Sequence, residues 1–267
     1  MLARIVAILF PVFAIAAAGY FVARRHKPDL SHANRLTMDV FAPALVFVAL
    51  ANRSFDFSAH RKLAVAMLLV VIGSGVVGAL LARMAHVKVK TFVPPMMYGN
   101  SGNLGIPLAI LAFGDGALPA AVVLFVTSTL VHFSYGAWLL DHNTRLTTIW
   151  RIPLILAAIA GIAVSLASVT VWAPLMLSIK MLGDIAIPLM LFALGARLTE
   201  VNIAAWRLGV FGGVARPVVG MLLSWMTAKL LGITGQDYAL LFLFGAMPPA
   251  VLNYIFSERF NQEPDHV

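Results

Sequence analysis

The sequence contains no cysteine and few charged residues, and both features limit the functions that the protein can have. Without cysteine, disulfides, thiol nucleophiles and thiolate metal sites are excluded. Charged residues occupy 11% of the 267 positions, whereas soluble domains carry about 25%. The chain is therefore too poor in charge for an ordinary soluble domain.

Hydrophobic residues occupy 61% of the chain, and its mean hydropathy is +0.93. About 20 apolar residues cross a bilayer as a helix, and such segments follow one another with short connections. They are 2–23, 36–51, 63–82, 91–113, 117–140, 152–169, 172–196, 203–231 and 238–257. We therefore predict an all-α membrane protein with no room for a separate soluble domain.

Lysine and arginine are unevenly distributed over the connections between these spans. If the first connection is cytoplasmic, the cytoplasmic side holds twelve of them and the outside five. Positive loops stay inside, so we predict an inner (plasma) membrane protein with its N-terminus outside and its C-terminus in the cytoplasm. The net charge of +8 then reflects topology, and we expect no nucleic-acid partner.

The fourth span is interrupted by the segment Tyr98-Gly-Asn-Ser-Gly-Asn-Leu-Gly-Ile-Pro107. A glycine weakens a helix by about 1 kcal/mol and a proline by about 3 kcal/mol, so Gly99, Gly102, Gly105 and Pro107 predict a broken helix. Broken spans are tolerated where protein or water surrounds them, and they are typical of transporter binding sites. The alternative is that these small and amide residues only pack helices together.

An internal repeat relates the two halves of the chain. Asp39 and Pro43 have the same spacing as Asp184 and Pro188, at an offset of 145 residues. With the same offset, Asn103 corresponds to Pro248, and the segment Met247-Pro-Pro249 interrupts the ninth span. We predict two five-span repeats of opposite orientation, with a site near the midplane where the broken spans meet. The repeats would cover 1–140 and 152–267, joined by a cytoplasmic connector at 141–151.

The chemistry of the two broken spans favours an anionic ligand. A helix that restarts at mid-depth presents its partly positive N-terminus to the cavity, and free backbone N–H groups bind anions. Uncharged hydrogen-bonding side chains are available at Asn100, Ser101, Asn103 and Asn253. No acidic residue lies in either span core, so we predict neither a carboxylate sodium site nor a metal site, and no cofactor.

Four ionisable residues inside spans have two interpretations each. Asp39 and Asp184 are either functional carboxylates or interfacial helix-end residues. Arg216 is either a counter-charge for an anionic substrate or a structural residue that pairs with an acid or reaches the surface, and we favour the structural role. His132 is either a titrating coupling group or a helix-packing hydrogen bonder.

Three segments together resemble the auxin efflux carrier family: Tyr98–Pro107, Pro188–Gly195 and Met247–Phe260. That family includes plant auxin exporters and bacterial malonate or malate carriers. The resemblance implies two inverted five-helix repeats of the bile-acid-symporter type, elevator-type alternating access and a homodimer. It also implies that the fourth and ninth helices cross at Asn100 and Pro248, where a polar residue contacts the substrate carboxylate. Ser101, Asn103, Met247 and Pro249 are neighbours of these positions in sequence.

The sequence departs from the family pattern in two respects. The family has a tenth helix, and we expect it to be missing here because the chain ends at Val267. Plant members carry charged residues on the third span, whereas residues 63–82 contain none. Proton coupling through that span is therefore not part of the prediction.

The preferred function is a secondary transporter of small organic anions such as malonate, malate or auxin-like acids, with protons as possible coupling partners. No Gly-rich nucleotide-binding loop is present. An intramembrane enzyme is disfavoured because the sequence has neither a His-Glu-x-x-His nor a Gly-x-Ser-x-Gly motif. The alternative that stays open is a truncated or non-transporting membrane sensor of the same fold.

Overall fold

A computed structural model of the chain describes residues 2–51, 57–140, 150–200 and 206–250, together with Asn253, Ser257 and Glu263. Regular structure in this part of the chain is helical, and extended backbone pairs only in an isolated antiparallel bridge between Gly99 and Pro249. The predicted connector at 141–151 falls mostly outside the described residues, as does most of the ninth span beyond residue 250.

The helices follow the predicted spans closely. They are α1 (Leu2–His26), α2 (Ser31–Leu50), α3 (Phe57–Met84), α4 (Val89–Met97), α5 (Ser101–Phe113), α6 (Asp115–Leu140), α7 (Pro153–Leu166), α8 (Ala173–Arg197), α9 (Trp206–Leu231) and α10 (Gly235–Gly245). Wider π-helical turns occur in α2 (Thr37–Phe41), α5 (Ser101–Gly105) and α6 (His132–Gly136).

Six of these helices are long and apolar enough to cross a membrane, namely α1, α2, α3, α6, α8 and α9. The shorter α5 and α7 are apolar as well. Large apolar side chains on α1 point outward, and Phe10, Phe13 and Phe21 are each about two-thirds exposed. An outward apolar face is costly in water and favourable in lipid. The prediction of an all-α membrane protein is therefore confirmed.

The chain forms two compact units, each assembled from separate stretches of the sequence. The first unit contains Met1–Ser58, Gly102–Val122 and Trp150–Val201. Its main helix pairs are α1 with α8, α2 with α8 and α2 with α7. The backbones of α1 and α8 meet so closely that a Cβ at Gly195 would collide with the carbonyl of Ala16, which is the close approach that small residues permit between membrane helices.

The second unit contains Ala59–Ser101, Val123–Ile149 and Asn202–Val267. Helix α4 packs on α3 and α9 through a buried cluster of Ala82, Phe92 and Met96. Helix α10 packs on α9, where Ser224 Oγ donates a hydrogen bond to the Leu241 carbonyl. This unit contains residues 98–101 and 246–250, where the two spans are interrupted, and therefore the candidate site. The division into two sequence repeats stays a prediction.

Candidate functional site

The fourth span is broken, and the break is shorter than the glycine-rich segment suggests. Helix α4 ends at Met97, Tyr98 to Asn100 are not helical, and α5 begins at Ser101. Gly102 and Gly105 lie in the π-helical turn, and Pro107 lies in the first turn of the regular helix after it. Proline is tolerated in a first turn because an N–H at that position has no partner within the helix. The prediction that this span is not a uniform helix is confirmed.

The ninth span is broken at its two prolines. Helix α10 ends at Gly245, and residues 246–250 are not helical. Asn253 and Ser257 are helical again. Proline has no N–H to donate and disfavours helix in the residue before it, so Pro248 and Pro249 favour an end of the helix at this point.

The two breaks lie side by side and bond to each other. Asn100 N–H donates to the Pro248 carbonyl at 2.7 Å, and Ala250 N–H donates to the Tyr98 carbonyl at 2.9 Å. The Asn253 Nδ2 amide donates to the same Tyr98 carbonyl at 3.0 Å. Each break thus supplies partners for backbone groups that the other lost from its helix, and unpaired groups would cost several kcal/mol each in lipid. We call residues 98–101 and 247–250 the crossing.

An aromatic stack supports the crossing on one side. The rings of Tyr98 and His132 lie parallel, with centroids 4.0 Å apart and planes 7° from each other. A Cβ at Gly136 would come within 2.8 Å of the Tyr98 ring, so the small residue at this position leaves room for it. Both rings are buried. His132 therefore packs directly on the residue whose carbonyl receives two of the crossing hydrogen bonds.

Arg216 supplies a positive charge beside the crossing. Its side chain is fully buried, and Nη1 donates to the Gly245 carbonyl at 2.8 Å. A Cβ built on Gly99 would lie 2.6 Å from Arg216 Nη2 and 3.2 Å from Met247 Cβ. Among the described residues, Nε and Nη2 of Arg216 have no hydrogen-bond partner. Arg216 therefore neither reaches the surface nor pairs with an acid in the described part of the chain.

The structure brings most of the predicted substrate-binding residues together. Asn100, Ser101, Met247 and Asn253 are at most 5% exposed, Pro249 is half-buried and Pro248 is exposed. Uncharged polar side chains are present at the crossing in Asn100 and Ser101 and beside it in Asn253, whose Oδ1 has no hydrogen-bond partner within the described chain. Carbonyl and amide groups of this kind bind polar ligands without imposing a charge.

Other predicted residues lie elsewhere. Gly102, Asn103, Gly105 and Pro107 belong to α5, the helix that follows the break. Gly102, Gly105 and Pro107 were predicted to interrupt the span, but a π-helical turn and the first turn of the regular helix contain them. Asp39 and Asp184 lie in the first unit and are exposed. Asp184 pairs with Lys180 one turn away on α8, at 2.7 Å.

Sequence reasoning missed the contributions of Tyr98, Gly220 and Gly245. Tyr98 contributes through its backbone carbonyl, which every residue type has, so the sequence could not single it out. Gly220 and Gly245 let α9 and α10 touch, because a Cβ at Gly220 would collide with the Gly245 carbonyl. The spacing of Arg216 and Gly220, one helical turn apart, is a signal that could have placed both residues on the face toward α10.

The chain is similar to proteins described as membrane transporters. The model of the family described as "Membrane transport protein" matches residues 4–140 and 143–267. A similar protein is "Uncharacterized transporter YfdV" of Escherichia coli K12, which is 26% identical over 303 aligned positions that cover 98% of this chain and 90% of the relative. "Uncharacterized transporter MJ1031" of Methanocaldococcus jannaschii is 23% identical over 249 positions, covering 85% of this chain and 79% of the relative.

Proposed function

The chain belongs to the membrane transport protein family, which is the auxin efflux carrier family, and on that premise we propose that it is a secondary transporter of small organic anions. The crossing is the observation that carries this proposal. Two interrupted helices meet there, hydrogen-bond to each other, and leave polar side chains inside an apolar unit. Interrupted helices of this kind build substrate sites in transporters, whereas a purely structural span has no need of a break.

The anionic character of the substrate follows from the charges beside the crossing. Arg216 contributes a full positive charge, and no acidic side chain is among its partners in the described residues. Helix α5 begins at Ser101, immediately after the break, so its N-terminus adds a partial positive charge beside the crossing. Asn100, Ser101 and Asn253 offer neutral hydrogen bonds. A small carboxylate such as malonate, malate or an auxin-like acid matches this combination better than a cation does.

The remaining parts of the proposal come from the family and from charge distribution. The family relationship supports elevator-type alternating access and a homodimer, with protons as the possible coupling ion. The distribution of lysine and arginine supports an inner-membrane protein with its N-terminus outside and its C-terminus in the cytoplasm. Family and relatives are transporters, so we propose no catalytic activity.

Uptake by proteoliposomes tests the proposal. Purified protein is reconstituted, and uptake of radiolabelled malonate, malate and an indole acid is measured with and without an inward proton gradient. The variant is Asn100→Ala. Its matched control is Asn34→Ala, which removes an amide from α2 in the first unit.

We expect saturable uptake of at least one acid by wild type and by Asn34→Ala, and loss of substrate binding in folded Asn100→Ala. Normal binding by Asn100→Ala would contradict the placement of the site. Wild-type protein that is folded and takes up none of the acids would contradict the carrier proposal and favour the sensor alternative.

A further inference from the structure

The guanidinium of Arg216 has one edge engaged and one edge without a hydrogen-bond partner among the residues that the structure describes. Nη1 donates to the Gly245 carbonyl. Nε and Nη2, which lie together along the opposite edge of the planar group, have no hydrogen-bond partner in the described chain. Nη2 lies against Gly99, where a Cβ would be 2.6 Å away. The free edge is thus next to the crossing, and its two parallel N–H donors have the spacing that fits both oxygens of a carboxylate.

Glycines form the space that holds this group. A Cβ at Gly220 would collide with Arg216 Nη1, and a Cβ at Gly99 would crowd Nη2. The guanidinium therefore lies between two backbone segments that approach it without side chains. This arrangement fixes the position of the planar group, and a fixed donor pair loses little further freedom when a ligand binds.

The positive charge is only partly balanced by its surroundings. The side chain of Arg216, which belongs to α9, contacts the C-terminal end of α10 at Gly245. A helix C-terminus carries about half a negative charge. No acid in the described residues supplies the rest. A buried charge without full compensation is unfavourable in an apolar environment, so the site is better matched to an occupied state with a bound anion than to the empty state.

We propose that the Nε–Nη2 edge of Arg216 is the carboxylate-binding group of the carrier, and that one carboxylate of each transported acid binds it side-on when the crossing opens. The inference rests on the proposed function and makes it more specific, because it names the contact that selects anions. Neutral amide analogues of the same acids then fail to bind, since they bring no charge to balance the guanidinium.

Two substitutions of Arg216 separate charge from geometry. Arg216→Lys keeps a cation but replaces the two-donor edge by a single ammonium group. Arg216→Gln removes the charge. The matched control is Arg207→Lys on the same helix, where the arginine is exposed and lies over the Trp206 ring. The measurements are the KM for malonate uptake in proteoliposomes and the shift in Tm produced by sodium malonate, with malonamide as the neutral probe.

We expect the KM for malonate to rise at least about tenfold in Arg216→Lys and Arg216→Gln to lose the malonate-dependent Tm shift. Arg207→Lys should match wild type, and malonamide should shift no Tm. An unchanged malonate KM in either Arg216 variant would overturn the inference while the proposed function stands. If Arg216→Gln does not fold, the malonate KM of Arg216→Lys alone decides the test. Wild-type protein that transports none of the acids would instead contradict the proposed function itself.

Discussion

Two helices each place an ionisable residue close to a proline, and the surroundings of these residues differ. On α8, Asp184 precedes Pro188 by one turn and pairs with Lys180 on its own helix, where both side chains are more than half exposed. On α9, Arg216 directly precedes Pro217 and is fully buried without an acidic partner in the described residues. The first charge is neutralised locally. The second charge has no such partner among the described residues, and this difference is the basis of the proposal that it binds the substrate.

The two regions also differ in how they tolerate proline. Helix α8 continues through Pro188, and the loss of one helical hydrogen bond is absorbed locally. At Pro248 and Pro249 the helix stops, and the freed backbone pairs with residues 98–100. The second broken segment thus stabilises the interruption, because it satisfies backbone groups that the helix no longer pairs.

The largest effect should come from closing the space between α9 and α10. Gly220→Ala forces its Cβ into the Gly245 carbonyl and the Arg216 guanidinium, and we expect a loss of stability of about 3 kcal/mol. Gly213→Ala on the same helix is the control, because nothing lies within 4 Å of its Cβ; it should stabilise by up to about 1 kcal/mol. Thermal unfolding in detergent measures both. Similar Tm values for the two variants would show that the close contact is not required.

A smaller effect should follow from loss of a side-chain donor at the crossing. Asn253→Leu removes the amide that donates to the Tyr98 carbonyl, which keeps its bond from Ala250, so we expect a loss of about 1 kcal/mol. Thr227→Val is the control, because that hydroxyl bonds only carbonyls of its own helix. Unfolding of both variants in the same detergent tests the difference, and equal stabilities would weaken the role given to Asn253.

The smallest effect should come from the ion pair on α8. Asp184→Asn leaves Lys180 charged and unpaired, whereas the double variant Lys180→Met/Asp184→Asn removes both charges. We expect the single variant to unfold in detergent at a slightly lower temperature than the double variant, because a lone charge in an apolar span costs more than none. The malonate KM should not change in either. A raised KM would show that Asp184 takes part in coupling and that the contrast with Arg216 is incomplete.

Much of this molecule follows from local patterns in the sequence. Runs of apolar residues place the spans, because a bilayer admits little else. Gly99 and Met247-Pro-Pro249 lie at the two interruptions, because glycine and proline weaken helices, whereas Gly102, Gly105 and Pro107 lie within the helix that follows the first break. The same segments carry the resemblance to the family that the chain belongs to.

Sequence reasoning was less informative about Arg216, for which it favoured a structural role. Whether an arginine in an apolar span pairs, reaches the surface or stays available depends on residues distant in sequence. Here these are Gly99 and Gly245, which no helical periodicity connects to position 216. The stack of His132 on Tyr98 was missed for the same reason.

The sequence by itself determined the helices, their interruption and the excess of positive charge, since these depend on residue type and on neighbours along the chain. Only the tertiary structure decided which backbone groups satisfy each other at the crossing and which buried charge has no acidic partner in the described part of the chain. Hydrogen bonds and ion pairs are made across space, between residues as far apart as Tyr98 and Asn253. Whether such a hydrogen bond or ion pair forms is therefore decided only when the chain folds.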